Sequence, residues 1–172
     1  LSERSSIPFN APISAARSTD GLLVLTLVNG DVLRFDPNAG VEQYRFITDL
    51  PSVGGPLIRD LSVSRTNRLI ALAGQAASGK GNSPQEQRTL VYDTQTNSLI
   101  RVVYREGLDV VGVTINPSET FITMGFAGQP QIRQYDVVNR KIFGPIADMP
   151  GHSLLMTDVE YGPDGSTLAS CS

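Results

Sequence analysis

The feature that most constrains this chain is a segment plan that recurs: a short alternating strand, a polar turn, then a second apolar strand. It occurs at Ile13–Leu27 (ISAARSTDGLLVLTL), Leu61–Gly74 (LSVSRTNRLIALAG), Val111–Phe126 (VGVTINPSETFITMGF) and Asp158–Ser172 (DVEYGPDGSTLASCS). The turns begin at Ser18, Arg65, Asn116 and Gly162, so the successive spacings are 47, 51 and 46 residues. Each of the first three pairs is followed by a third strand that ends in an aromatic residue and an aspartate: Phe35-Asp36, Tyr92-Asp93 and Tyr135-Asp136. A turn and a fourth apolar strand follow, at Val41–Phe46, Leu99–Tyr104 and Lys141–Ile146.

Four antiparallel strands per unit, joined by turns, make the blade of a propeller. The predicted fold class is all-β, a β-propeller of four-stranded antiparallel blades that is incomplete in this chain. The expected division is an N-terminal segment 1–12, a first blade 13–56, a second 57–109 with a loop insertion 75–87, a third 110–154, and the first half of a fourth 155–172. The insertion, QAASGKGNSPQEQ, is small and polar throughout and reads as an exposed loop. At roughly 40 to 45 residues per blade the chain holds three units and half of another, whereas closed rings use about four to eight. A fragment of a longer protein is therefore expected, with Ile7–Ala11 supplying the outer strand of a final blade.

Composition narrows the function classes. The chain has 172 residues, 40% hydrophobic and 18% charged, which suits one globular domain with a buried core. Fourteen Lys plus Arg against seventeen Asp plus Glu leave a formal charge of −3, with the cations scattered singly. A nucleic-acid footprint needs a clustered positive field, so no nucleic-acid partner is expected. No apolar run approaches the ~20 residues that span a bilayer, and no membrane partner is expected. Cys171 is the only cysteine, which excludes an internal disulfide and suits a reducing, intracellular setting, cytoplasmic or nuclear.

Several groups invite a chemical reading and receive a structural one. Gly74-Gln-Ala-Ala-Ser-Gly79-Lys80-Gly81 approximates a phosphate-binding loop, but position 81 lacks the hydroxyl that holds magnesium and no helix follows, so no nucleotide or other cofactor is expected. Asp36, Asp93 and Asp136 recur with the repeat and read as turn-forming carboxylates that accept backbone N–H bonds. Calcium wants six or more oxygens at one point, and these three acids stand a whole blade apart, so no metal is expected. Cys171, beside Ala and Ser on a strand, reads as a small buried hydrophobe. Arg59-Asp60 and Arg105-Glu106 read as solvated charges at strand ends.

The fourth unit carries a resemblance. Gly151-His152, three residues, then Met156-Thr-Asp-Val159-Glu-Tyr161-Gly-Pro-Asp-Gly165-Ser-Thr-Leu-Ala-Ser170 resembles the opening of a WD repeat. In that family a histidine, a strand serine or threonine, a turn aspartate and a tryptophan form a buried hydrogen-bonded set. The resemblance implies structural roles for His152 and for Ser170 or Ser172. Elsewhere the sequence departs from the pattern, having no Trp and no second His, and Tyr92-Asp93, Tyr135-Asp136 and Phe35-Asp36 stand where Trp-Asp pairs would. Lactonase-like and gluconolactonase-like propellers are similar in their aromatic-Asp turns.

The resemblance implies a non-catalytic scaffold that binds a protein or peptide partner within a larger chain or multi-protein assembly. Peptides reach such rings at the loops that join fourth to first and second to third strands, here Ile47–Leu57, Gln75–Gln87, Arg105–Asp109, Ala127–Gln131 and Ala147–Leu155. Lys80, Arg105, Asp109 and Gln129 are the expected contact residues. The alternative is a lactonase-type enzyme with a metal or acidic central site. It needs carboxylates on the first strands of several blades, read as Ser14–Arg17, Leu61–Ser64, Val111–Thr114 and Asp158–Tyr161, of which only the fourth offers them.

Overall fold

The computed structural model describes residues 9–47, 58–75, 87–104, 110–127, 131–144 and 156–171, and these form strands and turns with no helix. Fourteen strands follow in order. The first sheet is β1 (Ile13–Thr19), β2 (Leu22–Leu27), β3 (Asp31–Asp36) and β4 (Val41–Ile47). The second is β5 (Ile58–Val63), β6 (Leu69–Gln75), β7 (Gln87–Asp93) and β8 (Ser98–Tyr104). The third is β9 (Val110–Ile115), β10 (Phe121–Phe126), β11 (Ile132–Asp136) and β12 (Lys141–Phe143), followed by the pair β13 (Asp158–Tyr161) and β14 (Leu168–Cys171). Each four-stranded sheet is an antiparallel meander in sequence order, and β13–β14 repeats the first two strands of the plan. The architecture is a partial β-propeller.

The sheets stack through their first two strands. β5 packs across β1 and β2, β9 across β5 and β6, and β13 across β9 and β10. β2, β6 and β10 are therefore covered on both faces, which explains why β2 (LLVLTL) and β10 (FITMGF) read as near-continuous apolar runs. Three apolar layers fill the junctions. Val24, Val32, Leu61, Ile70, Leu72 and Leu90 lie between the first and second sheets. Ala71, Ala73, Val91, Val113, Met124 and Phe126 lie between the second and third. Ile132, Met156 and Val159 join the third sheet to β13. Each large side chain so buried contributes about 1.5–3 kcal/mol relative to exposure.

On the first sheet's other face Leu25, Leu27, Leu33 and Phe35 are covered in part by Phe9 and Ala11, with the Phe9 and Phe35 rings edge to face at 6.1 Å. At the periphery Phe46 of β4 stacks on Tyr92 of β7 with ring centroids 3.9 Å apart.

Left-handed residues mark equivalent turns. In the turn between first and second strands they are Asp20 and Gly21, Asn67, Glu119 and Gly165; between third and fourth strands they are Gly40, Asn97 and Arg140. The first turn is tighter than its sequence suggested, because β1 runs on through Thr19 before Asp20-Gly21 reverses the chain.

Candidate functional site

The first strands β1, β5, β9 and β13 lie side by side, so whatever chemistry the stacked sheets share is set by their side chains. In the first three sheets the first strand carries a β-bulge at one repeat position, between Ile13 and Ala15, Ile58 and Asp60, and Val110 and Gly112. A bulge re-aims the following side chain. In β5 that side chain is Asp60, which turns toward the third sheet.

A polar chain then crosses three junctions. Arg17 Nε donates to the carbonyl of Leu61 at 2.9 Å, and its Nη2 reaches Asp60 Oδ1 at 3.1 Å. Asp60 Oδ2 accepts the backbone N–H of Val113 at 2.8 Å, and Ser62 Oγ accepts that of Ile115 at 3.1 Å. Thr114 Oγ1 accepts the N–H of Tyr161 at 3.4 Å and lies 3.3 Å from Glu160 Oε1, to which it donates. The Tyr161 hydroxyl meets Thr123 Oγ1 and Gln134 Nε2, each at 2.6 Å, tying β13 to β10 and β11. An edge strand's outward N–H groups need partners when they are buried. Asp60, Ser62 and Thr114 provide them.

Burial pushes the Asp60 carboxyl above its ordinary range; the N–H groups of Val113 and Leu61 and the charge of Arg17 only partly offset this, and Asp158 adds to the rise. Glu160 is likewise raised by burial against the pull of Arg17 and Thr114, with Asp158 and Asp60 contributing. Glu160 thus senses Asp60 across the second and fourth units, and Arg17 is a counter-charge to both.

This corrects two expectations. β5 begins at Ile58, so Asp60 belongs to a first strand and is not a solvated strand-end charge. Two first strands, not one, therefore supply carboxylates. The sequence signal lay in the register: Asp60-x-Ser62 and Asp158-x-Glu160 occupy the same place in their units, 98 residues apart.

A second series of contacts joins the turns at one rim. Asn67 Nδ2 donates to Asp20 Oδ2 at 3.4 Å, and Glu119 Oε1 accepts from the backbone and the hydroxyl of Thr66. Beside them a groove of about 280 Å³ is lined by Val63, Arg65, Pro117, Glu160, Tyr161 and Pro163.

Asp36, Asp93 and Asp136 stand away from these clusters, each at the end of a third strand. Asp36 Oδ1 accepts the N–H groups of Asn38 and Ala39, Asp93 Oδ1 those of Gln95 and Thr96, and Asp136 Oδ1 those of Val138 and Asn139, at 2.7–3.2 Å. Asp93 Oδ2 also receives Arg68 through Nε at 3.1 Å and Nη2 at 2.8 Å. Burial raises the Asp93 carboxyl, but Arg68 and the turn N–H groups outweigh it and hold the group below its ordinary value. Asp136 is lowered by the backbone and side chain of Asn139.

Ser170 lies on β14 opposite Val159, half-buried. Cys171 is exposed, against the expectation of a buried thiol. It sits on the face of β14 that no described sheet covers. Lys80, Arg105, Asp109, Gln129 and His152 lie outside the described residues.

No family model and no curated protein matches the chain. A solved structure of U3-55K is similar to it, with a TM-score of 0.63 at 10% sequence identity, over 90% of this chain and 44% of that one. The chain thus spans less than half the length of the solved chain it matches. The likeness is one of fold, and it agrees with the partial β-propeller of antiparallel four-stranded meanders.

Proposed function

We propose that the chain is a non-catalytic, WD-repeat-like propeller scaffold that holds a protein or peptide partner within a larger intracellular polypeptide or assembly. One observation carries this reading. The polar groups of the first strands, Arg17, Asp60, Ser62 and Thr114, are engaged in bonds from sheet to sheet, so their chemistry fixes the blades to one another. A scaffold fixed in this way positions its inter-strand loops, which recognise a partner with little loss of entropy. Lys80, Arg105, Asp109 and Gln129, on three different loops, are the proposed contacts.

The test replaces each of these four by Ala and measures partner retention alongside thermal unfolding. The scaffold reading expects at least one variant to lose about tenfold in retention, roughly 1.4 kcal/mol, with an unchanged unfolding midpoint. Equal retention by all four contradicts it.

The enzymatic alternative draws on Asp60, Asp158 and Glu160, carboxylates from two first strands, of which Asp60 and Asp158 both raise Glu160 by their charge. It expects calcium to raise the unfolding midpoint, since a specific ligand stabilises the folded state, and Asp158→Asn to abolish the rise. The scaffold reading expects no shift.

A further inference from the structure

Val63, Ile115 and Tyr161 are the last residues of three neighbouring first strands, and Arg65, Pro117 and Pro163 follow each by two. With Glu160 they line the groove of about 280 Å³ at the rim of first-to-second turns. Its walls are fastened together. Glu119 of the third unit's turn accepts the N–H of Thr66 in the second, and Pro117 packs on Gly165 of the fourth, where an added Cβ would fall 3.0 Å from the proline Cδ. The Tyr161 hydroxyl is held by Thr123 and Gln134 at 2.6 Å each. A groove fixed in this way pays little ordering entropy when it is filled.

The groove carries opposite charges on its two sides. β9 lies between β5 and β13, so the second and fourth units supply the ends and the third the middle. Arg65 stands at one end, exposed and without a partner among the described residues. Glu160 stands at the other; its Oε1 accepts from Thr114 at 3.3 Å, and its Oε2 accepts from no described residue. Ile115 and Pro117 form the apolar stretch between them. In an extended chain residues two apart face the same way, ~6.6 Å from one another. We propose that this groove binds an extended segment of a partner protein that reads basic-x-apolar-x-acidic in either chain direction. The cation meets Glu160, the apolar side chain lies on Ile115 and Pro117, and the carboxylate meets Arg65.

A second copy of this chain fits poorly. Its sequence offers the required order at Arg45, Ile47 and Asp49, but Arg45 is already held by Asp31 and Glu42. The reversed order occurs at Asp136, Val138 and Arg140, where Asp136 caps its own turn. The occupant is therefore assigned to another protein. In each antiparallel meander the first-to-second turn lies at the opposite end from the second-to-third connection. This surface is thus separate from the loop contacts proposed above and stands or falls without them.

The test titrates the intact protein with end-blocked pentapeptides: Lys-Ala-Leu-Ala-Glu, its reverse, Lys-Ala-Leu-Ala-Lys and Glu-Ala-Leu-Ala-Glu. The proposal expects at least one mixed-charge peptide to bind about tenfold more tightly than both peptides of single sign, because a like charge opposed to Arg65 or Glu160 discriminates against the wrong segment. Arg65→Glu is expected to leave the unfolding midpoint unchanged, weaken the mixed-charge peptide about tenfold and make the doubly basic peptide the better ligand. If that variant does not fold, Arg65→Ala is expected to weaken the mixed-charge peptide about threefold. Changing Lys80, Arg105, Asp109 or Gln129 to Ala is expected to leave peptide binding as it was, so the two readings fail separately. Absence of binding by every peptide, equal binding by all four, preference of the parent protein for a peptide of single sign, or a mixed-charge preference that survives Arg65→Glu overturns the proposal.

Discussion

Across the boundary between two four-stranded sheets, the Asp60 carboxylate accepts the backbone N–H of Val113 at 2.8 Å while holding Arg17 of a third sheet at 3.1 Å. One side chain therefore links the first strands of three successive units. The N–H of Val113 lies on the edge strand of its own sheet, and without Asp60 it is left buried and unpaired.

Asp60→Ala is expected to destabilise the protein by about 1–3 kcal/mol, the cost of a buried donor without a partner. Asp60→Asn keeps an acceptor for Val113 and is expected to lie closer to the parent. Because burial raises the Asp60 carboxyl above 3.8, its protonated form favours the folded state. That contribution is complete below the unfolded value and is lost as pH rises through the raised one. Urea titrations between pH 3 and pH 7 should show a shallower loss in Asp60→Asn than in the parent. Part of the slope remains, since Glu160 shifts in the same direction.

Asp93 has the opposite sign. Arg68 and the turn N–H groups hold its carboxyl below 3.8, so it stabilises the fold above that value and ceases to do so as pH falls through the lowered one. Asp93→Asn should cost about 1–2 kcal/mol at pH 7, a charge-assisted bond lost. Parent and variant stabilities should converge as the solution is acidified; a gap that persists unchanged at low pH would show that the ion pair is not the source.

Two left-handed positions should respond differently to glycine. Arg140 has φ 54° where Gly40 and Asn97 stand in the other sheets. A side chain there costs roughly 1–2 kcal/mol, so Arg140→Gly should raise the denaturation midpoint. Glu119 has φ 59° where Asn67 and Gly165 stand, but its carboxylate accepts from Thr66 of the neighbouring unit. Relief of strain is offset there by the lost bond, and Glu119→Gly should bring no gain. Equal gains at both sites would remove the case for the turn-to-turn contact.

Gly112→Ala brings a methyl to 3.0 Å from Val159 N at the third junction. Overpacking of this kind costs about 1–3 kcal/mol. The effect should be local, with residues 156–171 cut faster in limited proteolysis and the first two sheets cut as in the parent.

Much of the architecture was legible because it is local. The alternation, the turn residues and the aromatic-Asp ends are each set within a dozen residues, and their recurrence gives the sheets. Asp60 was misread because its partners are 43 and 53 residues away, at Arg17 and Val113, and only the stacking of sheets brings them near. The bulge at Arg59 that aims it has no signature of its own. Cys171 was misread because Ala and Ser neighbours describe a strand, whereas exposure depends on whether another sheet lies against it. Glu119 was missed because its backbone strain is visible only beside Asn67 and Gly165 in the same turn.

The most direct measurement of radial stacking is residue-resolved hydrogen exchange at Val113 and Ile115. Both amides are held by side chains of another sheet, Asp60 and Ser62, so stacked blades predict slow exchange that Asp60→Ala accelerates at Val113 and Ser62→Ala at Ile115. Exchange at Val113 and Ile115 as fast as in an unprotected chain, while β10 stays protected, would mean that the meanders form but do not lean on one another.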